Sequence, residues 1–297
     1  MQSLKPSSFK TFLEPLQNPV VWLAALGLCL AILNLTLAWI YTRNADLVAI
    51  MALFWGGVGY LLWNRYPSLT LRSDLFSTIG GGILVTWGLY RGWVMLTYDP
   101  FIRIQPFILA LGLGMIGSGA KRLPQYAKEL GLLLVLALPE GVLGNALEQG
   151  VNLSVLAARS TTAILWYLGF DVTRDGVNVI LPGGGVRVYR GCSGLKATLE
   201  LLRLSLAYLV IFPSYWWEKL VVPVVAVTLA YSINLIRLVL MTILAAAQRK
   251  QAFEFWHVGS GSNLFPVASM LLFAGFCLWI MQTHDADLKP ISNREVA

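Results

Sequence analysis

The sequence predicts an all-α polytopic membrane protein, with about eight transmembrane helices and a short extracytoplasmic β-hairpin before the sixth. Three observations predict it. Hydrophobic residues make up 57% of the 297 residues and charged residues 12%, whereas an ordinary soluble domain carries about 25% charged residues. Mean hydropathy is +0.68, and a soluble core has no room for 11 Trp, 13 Phe and this much aliphatic surface. Apolar runs near the length a bilayer core requires, about 20 residues, recur along the chain.

The first run, Val20–Tyr41, has no small-residue cleavage site after it and reads as an anchor. Leu47–Trp63, Leu75–Leu96, Ile104–Ser118 and a shorter Ala127–Leu138 complete an N-terminal membrane region, residues 1–138. Within it, Gly112-Leu-Gly114-Met-Ile-Gly117 matches a dinucleotide-binding pattern. No strand precedes it and no βαβ unit follows, so helix packing through small residues explains it better.

Residues 139–193 break the helical pattern and form an extracytoplasmic region. Thr161–Gly169 reads as a short interfacial helix. Val177–Leu181 and Val186–Tyr189 read as two strands around a turn at Pro182–Gly185. The third region, residues 194–297, holds the helices Gly194–Ile211, Leu220–Ala247 and Leu264–Met281 and a cytoplasmic tail.

Orientation follows from the basic residues. Lys5, Lys10, Arg65, Arg72, Lys121, Arg122, Lys128, Lys219, Lys289 and Arg294 fall on the side of the N-terminus. The short loops opposite hold only Arg43, Arg103, Arg249 and Lys250. Both termini are therefore expected in the cytoplasm of a multi-pass inner-membrane protein. Because the positive charges, net +7, sit at the ends of apolar runs, they predict a lipid-facing protein and no nucleic-acid partner.

Histidine and cysteine counts exclude further classes. His257 and His284 are too few for a His-rich metal site, and Cys29, Cys192 and Cys277 form no disulfide framework. Neither a metal nor a cofactor is expected.

Four basic residues, Arg91, Lys196, Arg203 and Arg237, fall inside hydrophobic segments, where a charge faces a protein interior, a wet cavity or the interface. Arg91 is open to snorkelling.

Three places carry chemistry. Cys192 lies at a helix start, where free N–H groups and the helix dipole favour a thiolate and can hold an oxyanion. Gly191 and Gly194 allow close approach of a substrate. Asn234 and Arg237 share a helix face, with Tyr231 one turn earlier. His257 occupies the loop before the last helix, on the same side as Cys192 by the topology above. Each has a plainer reading: a space-filling thiol, a structural ion pair of Arg237 with Glu200, an interfacial histidine beside Trp256. Together they supply a nucleophile, a base and an oxyanion stabiliser, the minimum for thiol acyl transfer. Lys196, Glu200 and Arg203 form a further stripe along the sixth helix, read as an ion network that orients it.

Cys192-Ser-Gly-Leu195 after a hairpin, Asn234-x-x-Arg237 within a later helix and His257-x-x-x-Gly261 before the last resemble the exosortase/archaeosortase family. The likeness is greatest to its cyanobacterial A-type branch. It covers residues 160–280; the first four helices match only as membrane helices. The resemblance implies a membrane cysteine protease/transpeptidase acting through a thioester. Its partners would be exported proteins bearing a Pro-Glu-Pro-type motif, a transmembrane helix and a basic tail, with an exopolysaccharide or lipid-linked acceptor. It implies Cys192 as nucleophile, Arg237 as transition-state stabiliser and His257 as acid/base. Ser193, Gly194, Asn234, Tyr231, Lys196 and Glu200 are the supporting positions. Lys196 departs from the small or polar residue expected there.

Two other readings use the same residues. Gly191-Cys-Ser193-Gly194 is also the GxSG of rhomboid serine proteases, with Ser193 as nucleophile and His257 as base, although that reading leaves Arg237 without a role. A transporter would use Arg237, Lys196 and Glu200 as an ion path, but no inverted repeat is visible. Thiol alkylation separates the first reading from both. Arg237 lies roughly 15 Å of helix below the end of its segment, which predicts a recessed, water-filled site opening to the extracytoplasmic side.

Overall fold

Apolar helices dominate the computed structural model, which describes residues 19–94 and 99–292, with side chains as far as residue 283. Lys5, Lys10, Leu96 and Arg294 lie outside the described residues, as do the side chains of His284 and Lys289. All eight expected segments are helical. They are α1 (Pro19–Thr42), α2 (Ala45–Arg65), α3 (Leu75–Trp93), α4 (Phe101–Ser118), α5 (Ala127–Ala137), α8 (Leu195–Ile211), α9 (Glu218–Ala246) and α11 (Leu264–Ser292). Between them come α6 (Glu140–Val151), α7 (Leu153–Tyr167) and α10 (Lys250–His257).

The protein is an all-α polytopic membrane protein with one small sheet. Length and composition separate the helices. Among the described residues, five spans are long and apolar enough to cross a membrane: Pro19–Thr42, Ala45–Ser68, Phe101–Ser118, Glu218–Ala246 and Ser260–Thr283. A sixth arises if Ala120–Ala137 and Glu140–Val151, broken at Leu138 and Pro139, count as one. The expectation of eight is thus met as helices but not as eight full-length spans. At 17 residues α8 is short, and α3 dilutes its apolar residues with glycines, Ser77 and Thr78.

The chain forms two compact units. One runs to Pro139 and includes Ala207–Pro213; the other comprises Glu140–Leu206 and everything from Ser214 on. In the first, α3 and α4 pack backbone to backbone: a β-carbon on Gly112 would lie 2.8 Å from the Gly81 carbonyl oxygen. The GxGxxG pattern is therefore a helix contact at Gly112. Nearby, Asn34 donates to Gln105 (2.9 Å), Trp55 donates to Asn34 (3.1 Å) and Gln105 donates to the Gly88 carbonyl (3.1 Å), so this polar group inside the bundle is satisfied internally. Arg91, for which the sequence leaves snorkelling and an interior position both open, pairs with Asp99 at 2.7 Å.

The second unit holds an antiparallel sheet of β1 (Thr173–Asp175), β2 (Asn178–Leu181) and β3 (Gly184–Arg187), in that spatial order. The expected hairpin is β2–β3. Its turn is shorter than the four residues read from sequence: Pro182 and Gly183 make it, with Gly183 at φ +98°, and Gly184 and Gly185 already belong to the strand. The interfacial helix expected at Thr161–Gly169 is the second half of the longer α7. That helix stops at Gly169 (φ +85°), where the Phe170 N–H turns back to the Leu165 carbonyl. Val179, Leu181 and Val188 point from the sheet into a core with Ala157, Ala158 and Leu165 of α7 and Leu235 and Leu238 of α9. Cys192 belongs to the same core.

Candidate active site

The chain leaves β3 through Tyr189 and makes a single 3-10 turn, Arg190–Cys192, before α8 starts at Leu195. Cys192 therefore precedes the helix by one turn instead of opening it. The turn consumes the N–H groups expected to hold an oxyanion: Cys192 N–H donates to the Tyr189 carbonyl (2.8 Å) and Ser193 N–H to that of Arg190 (3.4 Å). The Ser193 hydroxyl is committed as well, donating to the Arg190 carbonyl at 2.9 Å, and the residue is buried.

Gly194 then reverses the chain at φ +84°, a conformation that favours glycine. The same glycine leaves space for Asn234 of α9, whose buried amide donates to the Cys192 carbonyl at 3.0 Å. One turn along α9, Arg237 Nη2 donates to the His257 carbonyl at 2.9 Å. The Asn234-x-x-Arg237 spacing places both side chains on one helix face, and each grips the backbone of a different site residue.

His257 is the last residue of α10. Its Nε2 lies 3.7 Å from Cys192 Sγ and 3.5 Å from the Tyr189 hydroxyl. The Phe253 ring, one helical turn before it, sits 5.2 Å from the imidazole. Burial first, and then the positive charge of Arg237, hold the imidazole below its ordinary value of 6.5. It is thus neutral at physiological pH, the form that accepts a proton. The Tyr189 hydroxyl is held above the usual phenol range. Its hydrogen bond to Cys192 contributes most, followed by the electrostatic influence of that group and by burial, with Arg237 acting against them.

These groups open into a pocket of about 170 Å³ lined by β3, Tyr189, Cys192, Arg237, Leu238, Met241, Phe253 and His257. The Arg237 Nε is buried and has no hydrogen-bond partner among the described residues. A guanidinium with an open donor beside a thiol and a neutral imidazole can perform acyl transfer: the imidazole takes the thiol proton, the sulfur attacks a carbonyl and the cation meets the oxyanion.

Of the residues expected from sequence, Cys192, Arg237 and His257 converge here from three separate segments, with Asn234 and Gly194 beneath them. Tyr231 does not line the pocket; its hydroxyl bonds that of Ser160 at 3.0 Å and fixes α7 to α9. Lys196 is exposed and reaches Glu200 at 3.8 Å, while Arg203, almost wholly buried, pairs with Glu140 at 2.7 Å. These residues line the flank of α8 and not the pocket. The ion pair considered between Arg237 and Glu200 gives way to the Arg237–His257 carbonyl contact. Sequence reading missed Tyr189, taken only as a strand end. Its signal was proximity, three residues before the thiol.

A family model for transmembrane exosortases matches residues 39–274, a stretch that contains every residue of this site. No curated protein and no solved structure matches the chain.

Proposed function

The chain belongs to the transmembrane exosortase family, and from that premise we propose that Cys192, Arg237 and His257 are its catalytic residues. The family comprises membrane-embedded cysteine peptidases and transpeptidases that act on exported proteins with C-terminal sorting signals. The observation that carries the assignment is the 3.7 Å approach of Cys192 Sγ to His257 Nε2, beside an arginine with an open donor.

In the proposed reaction His257 Nε2 takes the proton of the Cys192 thiol. The thiolate attacks the scissile carbonyl, and Arg237 stabilises the resulting oxyanion. Collapse breaks the C–N bond, His257 gives its proton to the leaving amine, and the exported protein remains as a thioester on Cys192. An acceptor hydroxyl or amine, or water, then attacks the thioester. His257 removes the attacker's proton and the sulfur leaves. Supporting this over a serine mechanism, the Ser193 hydroxyl is spent on the Arg190 carbonyl.

The finer reading is that the substrate carries a Pro-Glu-Pro-type motif, a transmembrane helix and a basic tail. The acceptor belongs to an exopolysaccharide or a lipid-linked group, and the subtype is the cyanobacterial A-type. The site faces the extracytoplasmic side of the inner membrane. Residues 139–193 and 194–297 carry the chemistry and residues 1–138 the membrane scaffold. Co-expression with a tagged exported protein bearing such a signal tests the activity. Loss of the C-terminal tail in wild type and its retention in Cys192→Ala is the expected result; equal processing by both overturns it.

A further inference from the structure

Strand β3 is an edge of the sheet, and three of its residues, Gly185, Val186 and Arg187, line the pocket. The pairing register fixes which of its backbone groups face outward. Leu181 and Gly184 flank a two-residue turn, which makes them a hydrogen-bonded pair. Further along, the Val188 N–H donates to the Val177 carbonyl at 2.9 Å. Both observations give one parity: residues 184, 186 and 188 bond inward to β2, and the N–H and C=O groups of Gly185 and Arg187 point outward. Among the described residues, no backbone partner outside the sheet meets those groups.

Proteins normally blunt such an edge with proline, charge or a covering element. The opposite edge, β1, is exposed along its length and carries Arg174 and Asp175. The end of α9 lies against Gly184 at the start of β3, while Gly185, Val186 and Arg187 share the pocket with Phe253 and His257 of α10, and five residues on from Arg187 the chain reaches Cys192.

We infer that β3 is the docking strand for the scissile segment of the substrate, which adds to the sheet as an extended fourth strand. This rests on the acyl-transfer reading above and specifies how the substrate is held. A helix is about 10–12 Å across and hides its carbonyls in its own hydrogen bonds, so neither its girth nor its chemistry suits a space of about 170 Å³ beside a thiol. An extended chain exposes every carbonyl. Alternate residues of it can exchange hydrogen bonds with Gly185 and Arg187, as in strand addition to other sheet edges. That pairing fixes the segment in register, so one carbonyl, and not its neighbours, meets Cys192.

The test uses synthetic peptides spanning the signal's scissile segment, each with one backbone amide replaced by an ester, and the full-length protein in detergent. Binding to the Cys192→Ala protein is the readout, so it needs no turnover. Affinity should fall about five-fold for esters at two positions spaced two apart and stay unchanged at the position between, as loss of single ladder bonds requires. Uniform tolerance, or loss at consecutive positions, overturns strand addition. A second comparison acts on the protein. Gly185 is unsuitable, because a β-carbon there would strike the Val179 carbonyl. Arg187→Pro removes an outward N–H and leaves the pairing with β2 intact, so it should bind the unmodified peptide about five-fold more weakly than Arg187→Ala. Equal binding overturns the inference. Cleavage by the wild type is scored separately: if it equals that of Cys192→Ala, the acyl-transfer reading fails, whatever the ester scan shows.

Discussion

The Asn234 amide fills the place that a β-carbon on Gly194 would take, 2.9 Å from its Cγ. Two independent constraints meet at this glycine, since its φ of +84° also disfavours any side chain. Gly194→Ala should therefore destabilise the protein by more than about 1 kcal/mol, read as a lowered Tm in detergent. It should also lose activity, because Asn234 must move away from the Cys192 carbonyl. Asn234→Ala should leave that carbonyl unsatisfied, at about 1–3 kcal/mol. Wild-type Tm and activity in Gly194→Ala would show that the contact is dispensable.

Cys192→Ala should abolish processing of a tagged substrate, and Ser193→Ala should retain a measurable part of it. The Ser193 hydroxyl closes the Arg190 turn and does not face His257 in the bonding seen here. Full activity in Cys192→Ala with none in Ser193→Ala would establish a serine nucleophile instead.

Arg237→Lys should lose at least about ten-fold in rate, or about 1.4 kcal/mol. The guanidinium holds the His257 carbonyl with one nitrogen and keeps another donor open; an ammonium has no such planar fork. Single-turnover rates check this, and a wild-type rate would reduce Arg237 to a structural tie.

The pH dependence follows from the lowered imidazole value. Protonated His257 is no base, so kcat/KM should fall on the acid side with a midpoint below the ordinary 6.5. Burial is the largest cause. Phe253→Ala, which bares the ring, should move that midpoint up toward 6.5, measured as the kcat/KM profile of both proteins. An unchanged midpoint would separate Phe253 from the shift.

A variant whose only cysteine is Cys192 should react slowly but detectably with a membrane-impermeant thiol reagent applied from outside. The sulfur is largely buried yet lines an open pocket. Labelling from the cytoplasmic side alone would reverse the proposed topology.

What the sequence disclosed, and what it withheld, follows from the range of each signal. Long apolar runs announce helices on their own, and all eight appeared. Whether each is long and apolar enough to span depends on a few residues: α5 and α8 are short, and glycines and hydroxyls dilute α3. Cys192, Arg237 and His257 were legible because each residue type is unusual in its local setting. β1 was not, since Thr173, Arg174 and Asp175 are all exposed and show no alternation. Tyr189 was missed because an aromatic residue at a strand end reads as packing until its neighbours in space are known. Tyr231 and Lys196 share sequence neighbourhoods with site residues, but the rotation of their helices directs them elsewhere.

Asn234 and Arg237 hold the carbonyls of Cys192 and His257 from adjacent turns of α9. The separation of sulfur and imidazole is thereby gauged by three residues of helix, about 4.5 Å of rise, and not by the span of the bilayer. A thicker or thinner membrane tilts a helix by degrees. When α9 tilts, both carbonyls travel with it, and the two reacting groups keep their spacing in lipids of different chain length.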